Sequence, residues 1–128
     1  MQPKKIGIGI VVIIVIGIIA TAVGDSSVGA PSNAVVNNAP GSSTPGCEPD
    51  CFIPTTTTIR AGGTITWMNG DTAAHTATAG TATDGPSGVW DSGLIMTGGS
   101  YSYTADTAGT FDYFCMVHPW MSGVVIIR

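Results

Sequence analysis

Apolar and polar residues alternate along three stretches of this chain, Thr64-Ile65-Thr66-Trp67-Met68-Asn69, Tyr101-Ser102-Tyr103-Thr104 and Phe111-Asp112-Tyr113-Phe114-Cys115. A period of two puts every second side chain on one face, so the pattern predicts half-buried β-strands. Gly123-Val124-Val125-Ile126-Ile127 is apolar throughout and reads as a closing, more deeply buried strand. Turn signals fall between these runs at Ala61-Gly62-Gly63, Asn69-Gly70-Asp71, Asp84-Gly85-Pro86, Gly98-Gly99 and Asp106-Thr107-Ala108-Gly109. That spacing suits a sandwich of short antiparallel strands.

Upstream the pattern changes twice. Ile6 to Val23 is an uncharged run of 18 residues behind Lys4 and Lys5. As a helix it would extend roughly 27 Å, close to a bilayer's hydrocarbon thickness. The basic flank would hold the N-terminus in the cytoplasm and send the rest across. Residues 1–23 are therefore expected to be a membrane anchor or a signal segment, Ala20-x-Ala22 offering a cleavage site. Retention would leave the protein anchored on the extracytoplasmic face of the membrane, and cleavage would leave it secreted or periplasmic. Residues 24–46, rich in Gly, Ser, Pro and Asn, offer little apolar surface and read as a flexible linker. The folded domain is expected over 47–128.

Composition sharpens the fold class. Residues 47–128 hold one Leu, one Glu and neither Lys nor Gln, while the chain has many Thr, Val and Ile. Helix formers are scarce and strand formers plentiful, so the domain is expected to be all-β. The four basic residues are Lys4, Lys5, Arg60 and Arg128, so two basic residues face eight acidic ones from Gly24 onward. Such a chain cannot neutralise a row of phosphates, which excludes nucleic acid as a partner.

The chemistry concentrates in Phe111 to Gly123, FDYFCMVHPWMSG. Cys115, His118 and Met121 follow one another at three-residue intervals directly after a predicted strand, and the only other histidine, His75, opens the strand-like segment His75-Thr76-Ala77-Thr78. Two imidazoles, a thiolate and a weak thioether suit one copper ion cycling between Cu(II) and Cu(I). Zinc more often recruits further thiolates or a carboxylate.

At these residues the chain resembles the cupredoxins, the blue-copper electron carriers, and is most similar to their plastocyanin and amicyanin branch. The resemblance covers nearly all of 47–128, through Ile65-Thr66-Trp67-Met68-Asn69-Gly70-Asp71, His75-Thr76-Ala77-Thr78, Trp90-Asp91-Ser92-Gly93-Leu94 and the loop with Pro119 after its histidine. It implies an eight-stranded, two-sheet Greek-key sandwich with copper near one end. It also carries the ligands over to His75, Cys115, His118 and Met121. Two residues between His118 and Met121 match the short amicyanin-like loop. Thr76 is the departure, since plastocyanins and amicyanin have there an Asn that braces the two ligand loops. Tyr113, two residues before Cys115, matches the family's tyrosine corner and takes a structural role, and Trp120 between two ligands is read as a shield for the copper.

Cys47 and Cys51, spaced Cys-x-x-x-Cys, superficially resemble the dinuclear copper domain of terminal oxidases. No histidine follows either at ligand spacing, so outside the cytoplasm a disulfide is the better reading.

The function expected is single-electron transfer between redox partners outside the cytoplasmic membrane, by a monomer with one copper. Met116, Pro119 and Trp120 around His118 would form the docking patch. Glu48, Asp50, Asp71, Asp84, Asp91, Asp106 and Asp112 could steer a basic partner. The alternative, from the enzyme class, is a small copper oxidoreductase acting on nitric oxide, nitrite or dioxygen at a solvent-open copper. Both histidines are used at one site, so a second histidine-rich copper centre within the chain is excluded.

Overall fold

The computed structural model describes residues 29–128. These form nine strands: β1 Asn33–Asn38, β2 Phe52–Ile53, β3 Thr56–Ile59, β4 Gly63–Asn69, β5 Thr78–Thr81, β6 Gly85–Asp91, β7 Ser100–Ala105, β8 Gly109–Phe114 and β9 Ser122–Ile127. One sheet has the order β2-β1-β4-β7 and the other β3-β9-β8-β5-β6. The chain passes from one sheet to the other between β2 and β3, β3 and β4, β4 and β5, β6 and β7, and β7 and β8, as a Greek-key sandwich does. The all-β, two-sheet architecture agrees with the sequence.

Alternation places the core. Along β4, Ile65 and Trp67 are fully buried, while Thr64, Thr66 and Met68 point outward. On that outer face Thr66 and Ser102 share a hydroxyl hydrogen bond of 2.8 Å across to β7. Tyr113 from β8 packs edge-on against Trp67, ring centres 5.3 Å apart, and lies 4.8 Å from Phe52. Ile59, Val36 and Val125 close the space between the sheets. Each fully buried aliphatic side chain contributes about 1.5–3 kcal/mol, which a domain this small needs.

The linker expected over 24–46 is corrected from Asn33 on. β1 pairs in parallel with β4 from Asn33 against Thr64 to Asn38 against Asn69. Val36 and Asn38 are buried. The polar sequence NAVVNN buries only every second side chain near its end, so its few apolar residues suffice for a strand. The fold therefore starts upstream of Cys47 and has nine strands in the described residues rather than eight. Gly63 permits this pairing, because a Cβ there would meet Ser32 O at 2.7 Å and Arg60 O at 2.9 Å.

Cys47 and Cys51 form a disulfide, and Cys115 is the free thiol. The segment expected to be strand from His75 becomes one only at Thr78; His75 itself makes an isolated bridge to Ile95. The apolar run at 6–23, read as an N-terminal hydrophobic helix, lies outside the described residues, among which no helix is long and apolar enough to cross a membrane.

Candidate metal centre

The loop that leaves β8 at Phe114 and re-enters β9 at Ser122 contains Cys115, His118 and Met121. It folds back on itself through two backbone bonds, Met121 N–H to His118 O at 2.9 Å and Cys115 N–H to Met121 O at 3.1 Å. These bonds bring the two ends of the loop side by side. His75 arrives from the β4–β5 connection and is held by paired backbone bonds with Ile95, 3.1 and 2.7 Å long.

Three donor atoms converge at one point. Cys115 Sγ lies 3.8 Å from His75 Nδ1 and 3.7 Å from His118 Nδ1, and the two Nδ1 atoms are 3.1 Å apart. Together they form a group whose ligand atoms all lie within 4.8 Å of one another. First-row metal bonds of about 2.0–2.1 Å to imidazole and about 2.3 Å to thiolate, at roughly 100–120° to each other, require such separations. The donor set fits a small transition-metal ion, and one thiolate with two imidazoles suits copper. His75, Cys115 and Met121 are fully buried, whereas His118 is half-exposed. Burial, with the neighbouring His75 ring, pushes the His118 pKa down against a smaller opposing effect of Asp71. A neutral ring keeps its lone pair for a metal.

The surroundings hold both loops. Thr76 N–H points at Cys115 Sγ from 3.3 Å, and Thr76 Oγ1 accepts the N–H of Met116 at 2.8 Å while bonding Thr78 Oγ1 at 2.9 Å. The hydroxyl thus ties the two ligand loops together, the bracing expected of the Asn it replaces. Trp120 packs with its ring centre 5.4 Å from that of His118 and donates its indole N–H to Ser42 O at 2.9 Å. That position agrees with a shield. Tyr113 is buried as a structural residue should be, and its hydroxyl has no hydrogen-bond partner among the described residues. The Cys47–Cys51 disulfide removes those two cysteines from metal binding and leaves Cys115 as the thiol that can ligate.

Sequence reasoning placed Asp71 among the acidic residues that could steer a basic partner. The structure buries it, with Oδ2 2.7 Å from His75 Nε2 and Oδ1 accepting Gly41 N–H at 2.9 Å. Burial raises the Asp71 carboxyl pKa, but hydrogen bonds from Gly41 N–H, His75 and Thr72 N–H outweigh it and lower the pKa to about 2. A carboxylate four residues before a histidine is a pairing signal on a helix, and this segment is a loop, so the spacing carried no warning. Glu48, Asp50, Asp84, Asp91, Asp106 and Asp112 are exposed as expected.

Comparison with known proteins gives a consistent picture. The profile of copper-binding proteins of the plastocyanin/azurin family matches residues 50–128. The chain is 34% identical over 84 residues to amicyanin of Paracoccus versutus, covering 65% of this chain and 62% of that protein. It is 35% identical over 85 residues to plastocyanin of Scenedesmus fuscus, covering 60% and 86%. The chain thus spans a little under two thirds of the length of that amicyanin. Among solved structures it is similar to a purple cupredoxin from Nitrosopumilus maritimus, with TM-score 0.68 and 23% identity over 74% of this chain and 99% of the other. That likeness is one of fold. A Cu(I) form of an amicyanin variant matches with TM-score 0.58 and 26% identity over 77% and 85%.

Proposed function

Because the chain belongs to the plastocyanin/azurin family of copper-binding proteins, we propose that it is a mononuclear copper protein that passes single electrons between redox partners outside the cytoplasmic membrane. The observation that carries this reading is the convergence of His75 Nδ1, His118 Nδ1 and Cys115 Sγ within 3.1–3.8 Å of one another. His75, Cys115 and His118 would hold copper, and Met121, buried in the same loop, would supply a further weak thioether ligand. When bound, copper supplies a one-electron couple between Cu(II) and Cu(I).

The protein's own contribution is to keep the ligands still. Thr76 fixes the thiolate side through its N–H and its hydroxyl, and the backbone bonds of the 115–121 loop fix the spacing of the donors. A close-packed sandwich resists displacement of either loop, so a change of charge costs little reorganisation. Cys115, His75 and Met121 are fully buried, which supports an electron carrier over the small-molecule oxidoreductase.

His118 is the route to a partner. The loops flanking the two histidines expose Leu94, Met96, Met116 and Val117 to between 40 and 63%. Small apolar contacts of this kind suit weak, short-lived docking. Exposed acidic residues favour a basic redox partner. The upstream apolar run supports residence at the extracytoplasmic membrane face.

Electronic absorption of the copper-loaded chain tests the reading. Cu(II) gives an intense thiolate-to-copper band in the wild type that Cys115→Ser abolishes. A Cu(II)-loaded wild type without that band overturns it.

A further inference from the structure

The Asp71 carboxylate is buried, and the side-chain group paired with it is the His75 ring, whose Nε2 lies 2.7 Å from Oδ2. The described cations, Arg60 and Arg128, do not pair with it. Its position is set on three sides. Gly41 N–H donates to Oδ1, Asn69 Oδ1 accepts the Asp71 backbone N–H at 2.9 Å, and the Asn69 amide donates to Ala73 O and Ile95 O at 2.8 and 2.9 Å. The same upstream segment that supplies Gly41 supplies Ser42 O to Trp120. Residues 41 and 42 therefore reach the support of both histidines.

We propose that Asp71 is the positioning residue of His75, holding its Nδ1 toward the metal and stabilising Cu(II) over Cu(I) through its charge. The inference rests on the copper reading above. An ionised carboxylate only accepts hydrogen bonds, so His75 Nε2 must carry the proton. Its Nδ1 then bears the lone pair, and Nδ1 is the atom that faces Cys115 and His118. Carboxylate partners of ligating imidazoles fix tautomer and orientation in this way. A buried negative charge one imidazole away also favours the more positive state of the ion. Asn at position 71 keeps the shape, removes the charge, and can present either an amide N–H or a carbonyl to Nε2.

Two measurements decide it. In the metal-free full-length wild type, imidazole nitrogen NMR places the His75 proton on Nε2; a proton fixed on Nδ1 overturns the proposal without recourse to any variant. In copper-loaded Asp71→Asn, the equilibrium between Cu(II) and Cu(I) moves at least tenfold toward Cu(I), a rise in potential of about 59 mV for a one-electron couple. A variant that loses thermal stability while its potential stays at the wild-type value shows a merely structural role and overturns the proposal. A wild type that takes up Cu(II) without the thiolate band removes the copper reading and this inference with it, whereas a blue variant of unchanged potential removes the inference alone.

Discussion

Met116 donates its backbone N–H to the Thr76 hydroxyl across 2.8 Å, joining loops that are 40 residues apart in sequence. Thr76→Val removes the acceptor and leaves that N–H unpaired in a half-buried place. Such a loss costs about 1–3 kcal/mol. The variant should unfold at correspondingly lower denaturant concentration in the metal-free state, and its copper-loaded absorption should broaden or shift, while Thr76→Ser keeps both near wild type. Unchanged spectrum and stability in the Val variant would show that the hydroxyl braces nothing.

Chain beginning at Cys47 lacks β1. β4 then loses its parallel neighbour, β2 loses its one partner strand among the described residues, and the Val36 side chain no longer covers the core. The Val36 burial alone is about 1.5–3 kcal/mol. Circular dichroism melting should show the 47–128 fragment far less stable than the full chain, or not cooperatively folded. Equal melting would return residues 33–46 to the status of a linker.

Gly123 faces Tyr113 in the β8–β9 register, and a Cβ there would come within 2.5–2.7 Å of three atoms of the phenol ring. The ring is fully buried among Trp67, Phe52 and Trp90, so it cannot swing clear. Gly123→Ala should cost about 1–3 kcal/mol by overpacking. Because Tyr113 stands two residues before Cys115, the strain should also register in the copper-loaded spectrum.

Alkaline titration should separate the tyrosines. Burial raises the phenol pKa of Tyr113, the neighbouring Trp67 only partly offsetting it, and burial together with Tyr103 and Asp91 raises that of Tyr101. A folded-state pKa above the unfolded value of about 10 means stability that is fully present below that pH and is lost as pH climbs through the folded values. Phenolate absorbance should therefore develop late for these two and coincide with unfolding for Tyr113. Full ionisation of all three tyrosines near pH 10 in the folded state would contradict the packing.

The metal centre was legible because its strongest signal is local. Cys115, His118 and Met121 sit in one loop at fixed intervals, and His75 follows as the chain's other imidazole. The alternation in β4, β7 and β8 was equally plain. β1 was not, since NAVVNN holds three asparagines and acquires its strand character from pairing with residues some 31 positions onward. Asp71 escaped for a related reason. A lone carboxylate in a polar loop looks solvated until a backbone N–H from Gly41 and an imidazole from His75 are seen to enclose it.

Parallel pairing of β1 with β4 also fixes the end of the sandwich at which the described residues enter. Strand β1 enters beside Thr64 and finishes beside Asn69, next to Asp71 and the histidines. The polypeptide thus joins the sandwich at the pole opposite the ligands, where Arg60 and Ala61 bond Pro31 and Arg128. The half-exposed imidazole of His118 therefore lies at the far end of the sandwich from the point at which the described residues enter it.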